Sequence, residues 1–133
     1  EPGGGTTDYV VEMLNAAKQN KSYVSPLNKN TVLPMMHVED AVSATLKLMN
    51  VERKKISING AYNLGSFETS PKQWSEIISS LGYELKLEFK EDFRQSIADS
   101  WPKKIDDTQF RNDIFWSPKF DAKSTAEDIL KLI

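Results

Sequence analysis

Hydrophobic residues recur at intervals of three and four along much of the chain, the spacing that places side chains on one face of an α-helix. A helix over residues 92–100 is also predicted, because Trp101 precedes Pro102 and the residue before a proline is disfavoured in helices. With it, the pattern predicts about five helices. The periodic faces, each expected to pack on a core, are Val10, Met13, Leu14 and Ala17; Val38, Ala41, Val42, Thr45, Leu48 and Met49; Trp74, Ile77, Ile78 and Leu81; and Ala126, Ile129, Leu130 and Ile133.

Several helix boundaries carry recognisable signals. Thr6 or Thr7 is predicted to cap the first helix, since hydroxyl side chains accept hydrogen bonds from free N–H groups at a helix start. Ser70 followed by Pro71 predicts the start of a later helix, and Gly82 its end.

Strand signals are shorter. Apolar and charged residues alternate over residues 83–89, the period of two that is typical of a half-buried strand. Extended segments are also predicted over residues 23–27 and 31–37, and a buried strand over residues 61–64. Together the patterns predict an α/β fold of α+β-like character, with helices against short strands, in one unit over residues 1–133.

Composition narrows the function classes. Seventeen basic and nineteen acidic side chains give a net charge of −2, which favours neither nucleic acid nor a membrane surface as a partner. The chain has no cysteine, which excludes a thiol nucleophile and a thiolate metal site and is typical of an intracellular protein. With a single histidine and no spaced carboxylate cluster, no metal site is predicted.

The first residues are the strongest candidate for binding. Three glycines at positions 3–5 are followed by Thr6 and Thr7 and then by the first predicted helix. Glycine lets backbone N–H groups approach a ligand closely, and a helix start adds free N–H groups and a positive dipole end. Gly5, Thr6 and Thr7 are therefore predicted to hold an anionic group. The absence of an initiator methionine suggests the interior of a longer protein.

A second candidate segment spans residues 94–107. Trp101 within it is more often a core or rim aromatic than a ligand contact. Asp106 and Asp107 are adjacent, so they do not face each other on a helix and better suit a helix start than a catalytic pair. His37 lies where a strand passes into a helix and is interpreted as hydrogen-bonded structure. No catalytic residue is predicted in this chain.

Several motifs together resemble a known family. They are GGGTTDY at 3–9, LPMM followed by V-x-D at 33–40, YN at 62–63, and FRQ-x-IADSWP with IDD at 93–107. This set is similar to the C-terminal part of short-chain-type L-threonine 3-dehydrogenases, which are extended short-chain dehydrogenase/reductases. The resemblance covers nearly the whole chain.

The resemblance implies a two-part enzyme that oxidises L-threonine to 2-amino-3-ketobutyrate. An N-terminal Rossmann domain would bind NAD and carry the catalytic Tyr and Lys, and residues 1–133 would be the substrate-binding domain. Neither G-x-x-G-x-x-G nor Y-x-x-x-K occurs here, so the chain alone is expected to be inactive. Gly5, Thr6 and Thr7 would bind the substrate, and Trp101 would cover it.

The resemblance also implies partners and a location. The expected partners are L-threonine, the N-terminal domain of the same protein, and a second copy in a full-length homodimer. The expected location is the cytoplasm or, with a transit peptide upstream, the mitochondrial matrix. An apolar face or strand edge that packs on the other half would be exposed in this chain.

Two alternatives remain open. One is the substrate domain of a nucleotide-sugar epimerase or dehydratase. Such enzymes usually have an arginine for the diphosphate where this chain has Leu33, which disfavours them. Val32 departs from an arginine that is frequent in threonine dehydrogenases, which leaves a local ion pair and the exact substrate open. The other alternative is a binding module without enzymatic activity.

Overall fold

The computed structural model describes residues 5–133, where six α-helices and four short strands are found. The helices are α1 (Tyr9–Lys18), α2 (Val38–Asn50), α3 (Pro71–Ser80), α4 (Phe93–Asp99), α5 (Thr108–Ile114) and α6 (Ala122–Leu132). The strands are β1 (Ser22–Ser25), β2 (Leu33–Met35), β3 (Phe67–Thr69) and β4 (Lys86–Phe89), and a 3-10 turn spans Arg53–Lys55. The predicted α/β class is confirmed.

The strands form two separate pairs. β1 lies parallel to β4, with Tyr23 opposite Leu87, and β2 lies antiparallel to β3. Within β4, Leu87 is half-buried while Lys86 and Glu88 are exposed, as the predicted alternation requires, but Phe89 is 42% exposed and departs from it at the end of the strand. The strands are shorter than the segments predicted over residues 23–27, 31–37 and 83–89.

The main hydrophobic core lies between α1, α3, α6 and the β1–β4 pair. Burying a large apolar side chain contributes about 1.5–3 kcal/mol, so these helices supply most of the packing energy. The helix faces predicted for α1 and α3 are confirmed, and the predicted face of α6 is buried except at Ile133. The fully buried large side chains of this core include Tyr9, Met13, Leu14, Leu27, Leu33, Trp74 and Ile78.

α3 starts as its sequence predicts. Ser70 accepts a hydrogen bond from the N–H of Gln73, and the Gln73 side chain accepts one from the Ser70 N–H, which makes a capping box. Pro71 occupies the first turn, where no N–H is needed. Gly82 follows the helix with a φ of +85°, a conformation that favours glycine.

α1 begins differently from the prediction. Asp8, rather than Thr6 or Thr7, is the N-cap residue, and no side chain caps the helix. The chain first makes a turn in which the Asp8 N–H donates to the Gly5 carbonyl at 3.2 Å. This turn places both threonines ahead of the helix, where their hydroxyls are not used as caps.

α2 buries a different face from the one predicted. Val38, Val42 and Met49 are 70%, 53% and 75% exposed, whereas Asp40 and Ala44 are fully buried. The period correctly marks an apolar face, but the Asp40 carboxylate accepts hydrogen bonds from the Lys119 and Phe120 N–H groups, and these bonds hold the opposite side of the helix toward the protein. The exposed α2 face therefore has no covering element among residues 5–133.

A second, smaller core connects α2 with α5. The Phe110 and Trp116 rings meet edge to face at 5.7 Å, and Trp116 Nε1 donates to Ser43 Oγ at 2.9 Å. α5 is a sixth helix, so the predicted number of five is too low. The buried residues of this core are Ala44, Phe110, Ile114 and Trp116.

The buried strand predicted over residues 61–64 is wrong. These residues are irregular, and Ala61 and Asn63 are exposed. The Tyr62 hydroxyl instead donates to Asp113 Oδ2 at 2.5 Å, which draws this segment onto α5 rather than into a sheet. Across residues 5–133, no helix combines the length and apolar composition needed to cross a bilayer.

Candidate functional site

The predicted anion-binding loop is only partly described, because residues 3 and 4 lie outside the described residues. Gly5 is exposed and its N–H donates to Asp8 Oδ2 at 2.8 Å. A Cβ at position 5 would lie 3.0 Å from Asp8 Oδ1, so the close approach of this carboxylate favours glycine there. The Gly5 N–H, which was predicted to meet the ligand, is thus already bonded to the Asp8 carboxylate. A bound anion must compete with this carboxylate.

Thr6 and Thr7 follow in the same turn. Thr6 is 8% exposed and Thr7 is half-buried. Thr7 lies at the edge of a cleft with a volume of about 320 Å³, which we call the Thr7 cleft. Its walls come from α1, β2, β3, α3 and α6 and consist of Val10, Val11, Pro34, Met35, Met36, Phe67, Trp74, Thr125 and Ile129.

The Thr7 cleft is electrically neutral. None of its described lining residues is acidic or basic, and only Thr7 and Thr125 carry hydroxyls. Thr125 Oγ1 donates to the Asp121 carbonyl at 2.7 Å, so this hydroxyl is already engaged with the backbone at the start of α6. The cleft can therefore enclose an apolar group, with polar recognition concentrated at the Thr7 edge. Sequence analysis did not identify Met35, Phe67 and the other walls, because they come together only in the folded chain.

Trp101 lies just beyond α4, and its backbone N–H donates to the Ala98 carbonyl at 3.2 Å. Its side chain is 40% exposed, and it is not part of the lining of the Thr7 cleft. Phe93 and Ile97 on α4 are also exposed, and with Trp101 they repeat every four residues along one side. Trp101 is thus a rim aromatic, and the described residues do not bring it together with Thr6 and Thr7.

His37 has the structural role that the sequence predicts. It is 6% exposed, and its Nδ1 accepts the Glu39 N–H at 3.2 Å as the cap of α2. Since Nδ1 accepts, the neutral ring carries its proton on Nε2, which faces Asp128 Oδ2 at 3.2 Å. The ring stacks on Phe120 with 3.8 Å between centroids. Both ring nitrogens are engaged in structure.

Asp40, the acidic residue of the V-x-D motif, is also structural. It is 1% exposed, and its two carboxylate oxygens accept the N–H groups of Lys119 and Phe120 at 2.9 and 3.0 Å. The carboxylate lies in the first turn of α2, where the helix dipole stabilises negative charge. This motif therefore fixes the loop before α6 and does not supply a catalytic carboxylate.

Asp106 and Asp107 lie at the start of α5, which confirms their assignment to a helix N-terminus. Asp107 also forms an ion pair with Arg111, with Nε and Oδ1 2.8 Å apart. Both partners bind the backbone of Gly65, whose N–H meets Asp107 and whose carbonyl meets Arg111, each at 3.3 Å. A Cβ on Gly65 would lie 3.2 Å from the Ile105 carbonyl oxygen. These contacts fix the segment that follows Trp101.

Asp113 forms a network that sequence analysis missed. One oxygen accepts hydrogen bonds from the Ser57 N–H at 3.0 Å, the Ser57 hydroxyl at 2.6 Å and the Tyr62 hydroxyl at 2.5 Å. The Ser57 and Tyr62 hydroxyls lower the pKa of Asp113 to about 2, because they stabilise the charged form. This carboxylate joins α5 to two irregular segments and has no neighbouring base. Among residues 5–133, no group of acidic and imidazole side chains has the arrangement of a metal site.

Known proteins resemble this chain in sequence and in fold. No family model matches the chain. Among curated relatives, an uncharacterised epimerase/dehydratase of Staphylococcus aureus is 38% identical over 134 residues, which take in all of this chain and 42% of the relative. The chain therefore spans less than half the length of the relatives that it matches.

Solved structures are also similar. A monomeric L-threonine 3-dehydrogenase from a metagenome is 40% identical with a TM-score of 0.92, and the match covers 98% of this chain and 42% of that one. L-Threonine 3-dehydrogenase from Trypanosoma brucei is 34% identical with a TM-score of 0.94, over 100% of this chain and 41% of that one. The chain matches the C-terminal part of threonine dehydrogenase-like proteins.

The names of these relatives fall into two groups. The two solved structures are threonine dehydrogenases, and the curated relative is an uncharacterised epimerase/dehydratase. Both names denote enzymes that act on small molecules. The family is therefore one of enzymes, and its reaction in this protein must be inferred from the site.

Proposed function

We propose that this chain is the substrate-recognising part of an NAD-dependent L-threonine 3-dehydrogenase, which oxidises L-threonine to 2-amino-3-ketobutyrate. The similarity to threonine dehydrogenases supports the reaction class. The observation on which the proposal depends is the position of Thr7 in the turn before α1, at the edge of a cleft without charged walls. A small amino acid fits such a site, because its carboxylate can meet hydroxyl and N–H donors at the edge while its methyl group meets the apolar walls.

The proposed recognition starts from the substrate carboxylate. The Thr7 hydroxyl makes no hydrogen bond within residues 5–133, so it is available to donate to an oxygen at the edge of the cleft. Thr6 is proposed as the second donor. The Gly5 N–H becomes a third donor once the substrate displaces the Asp8 carboxylate from it. Helix-start donors of this kind stabilise anions without a basic side chain.

Trp101 is proposed to cover the substrate when the two parts of the enzyme close. Its exposed ring is available for contact with a group outside residues 5–133. Closure over a bound substrate excludes water and orients the reacting atoms. Because Trp101 is not part of the Thr7 cleft, this role depends on the arrangement of the complete enzyme.

NAD is proposed to bind outside this chain. The residues present do not fit the cofactor: the described glycines are Gly5, Gly60, Gly65 and Gly82, and none follows a strand and opens a helix as a dinucleotide loop requires. None of the four tyrosines is followed by lysine four residues later. We therefore assign cofactor binding and proton abstraction to the N-terminal part that the relatives possess, and we propose a homodimer for the complete enzyme.

The exposed α2 face is proposed to contact that N-terminal part. Its four large apolar residues lie along one side of the helix and are each more than half exposed: Val38, Val42, Leu46 and Met49. An uncovered apolar face of this kind is typical of an interaction site. The length of the relatives supplies the occupant, since they extend well beyond the region matched by this chain.

The nucleotide-sugar epimerase or dehydratase is the second candidate, and the similarity to an uncharacterised epimerase/dehydratase favours it. A nucleotide sugar carries a diphosphate, for which arginine is the residue best suited by geometry and charge. The described lining of the Thr7 cleft contains no arginine or lysine, and Leu33 is buried in the main core. The cleft therefore favours the amino acid substrate.

Replacing Thr7 by alanine tests the proposed function. In the enzyme that contains this chain, Thr7→Ala should lower kcat/KM for L-threonine by about tenfold or more, since a hydrogen bond to a charged group contributes about 1.5–3 kcal/mol. Thr108→Ala, at an exposed threonine on α5, is the matched control and should leave kcat/KM unchanged. If both variants oxidise threonine at the rate of the unchanged enzyme, recognition at Thr7 is excluded.

A further inference from the structure

The Thr7 cleft is larger than the side chain of threonine requires. Its volume is about 320 Å³, whereas a water molecule, which is close to a methyl group in size, takes about 30 Å³ of liquid. The walls are aliphatic, aromatic or thioether groups from five different elements. A ligand group that enters the cleft would therefore lose contact with water on several sides, which favours an apolar group.

The base of the cleft is rigid and almost entirely apolar. Trp74 is 1% exposed and packs edge to face on Phe67, with 6.2 Å between ring centroids. Burial raises the pKa of Tyr9, and a weaker contact with Trp74 opposes this effect. Neither the Tyr9 hydroxyl nor Trp74 Nε1 completes a hydrogen bond of full geometry within the described chain. The side chains beneath the cleft are thus buried within the core, and a buried donor, Trp74 Nε1, remains in one wall.

Two methionines make the shape of the cleft walls adaptable. Met35 and Met36 are half-buried in the cleft wall, and Met35 Sδ accepts a weak hydrogen bond from Thr69 at 3.5 Å. Methionine side chains are unbranched and adjust to apolar groups of different shapes. The cleft walls can therefore accommodate side chains of more than one length.

We propose that the Thr7 cleft binds the apolar end of the side chain of a 2-amino-3-hydroxy acid whose carboxylate is held at Thr6 and Thr7, and that it favours unbranched ends longer than a methyl group. This inference rests on the proposed function, because the cleft receives a side chain only if the charged head binds at its edge. It defines the substrate class as L-2-amino-3-hydroxy acids whose carbon chain continues beyond C3 as a small to medium apolar group, with threonine, whose group is a methyl, as the shortest member.

A series of unreactive amino acids tests this inference on the 133-residue chain. L-Alanine, L-2-aminobutyrate and L-norvaline share the same charged head and differ by one methylene at each step. Burying one CH₂ is worth about 0.8 kcal/mol, so the dissociation constant should fall about fourfold per step. The methyl signals of labelled methionines give the location: Met35 and Met36 should shift, whereas Met13 in the core and Met49 on α2 should not.

A matched pair of variants separates the cleft from other apolar surfaces. Val11 lies at the edge of the cleft and is 43% exposed, and Val24 on β1 is 49% exposed and lies outside it. Val11→Phe should block the cleft and abolish the dependence on chain length, whereas Val24→Phe should preserve it. Both positions are at the surface, so both variants are expected to fold.

The possible results are distinguishable. Equal affinity across the series, or methionine shifts at Met49 instead of Met35, would overturn the cleft assignment while leaving carboxylate recognition intact. Failure of the chain to bind any member of the series would also overturn it. The proposed function has separate tests, which are threonine oxidation by the Thr7→Ala variant and the choice between L-threonine and UDP-glucose as the substrate of the complete enzyme.

Discussion

At the residue scale, two carboxylates, Asp40 and Asp113, accept hydrogen bonds from groups that are distant in the sequence. Asp113 accepts from Ser57 and Tyr62, and its pKa is lowered from the usual 3.8 to about 2. A lowered carboxyl pKa means that the stabilising contribution is fully present above pH 4 and is lost as the pH falls toward 2.

Asp113→Asn should therefore be less stable than the unchanged chain at neutral pH, and the difference should shrink as the pH falls from 4 to 2. Urea unfolding at a series of pH values measures this difference. Glu127→Gln, at an exposed position on α6, is the control and should not show this pH-dependent change. A difference that stays constant from pH 4 to pH 2 would contradict the assigned role of Asp113.

Asp40 leads to a second prediction at this scale. Asp40→Ala leaves the N–H groups of Lys119 and Phe120 without their acceptor in a buried site. Each unsatisfied buried donor costs about 1–3 kcal/mol, so the free energy of unfolding should fall by about 2–6 kcal/mol. Asp40→Asn retains one acceptor oxygen and should lose less. Equal stability of the two variants in urea unfolding would exclude this anchoring role.

At the scale of elements, α2 has two opposite faces with different functions. One face buries Asp40 and Ala44, and the other exposes Val38, Val42 and Met49. Val42→Lys and Met49→Lys should leave the free energy of unfolding within about 0.5 kcal/mol, because both are surface positions.

The same variants should reduce association of the isolated chain with itself and with the N-terminal part of the enzyme. Analytical ultracentrifugation measures the first effect and pull-down with the N-terminal part the second. Asn50→Lys adds the same charge at an exposed position outside the four-residue apolar stripe and should change neither. Unchanged association in all three variants would show that the exposed face is not an interface.

Some elements were predictable from the sequence, and others were not. α1 and α3 were predicted with their buried faces because period, proline and capping signals are all local. α5 and the irregular course of residues 61–64 were missed, since both depend on Asp113 and on a core between remote segments. The orientation of α2 was predicted wrongly for the same kind of reason: a period identifies an apolar face and does not identify its partner.

At the scale of the whole molecule, the motifs predicted the resemblance to known proteins, whereas the geometry of the site came only from the structure. The motifs were sufficient to identify the family, because the threonine loop and the ADSWP segment occur together in one chain. The Thr7 cleft was not predictable, since its walls come from five elements. Structure also separated Trp101 from the cleft, so its proposed covering role depends on the complete enzyme.

The central claim is tested most directly by measuring which substrate the complete enzyme converts. With NAD present, initial rates of reduced nicotinamide formation should be readily measured with L-threonine, and UDP-glucose should be neither converted nor able to inhibit this oxidation. The neutral cleft beside Thr7 is the physical reason, since it offers no cation to a diphosphate. Conversion of UDP-glucose without any oxidation of L-threonine would contradict the account.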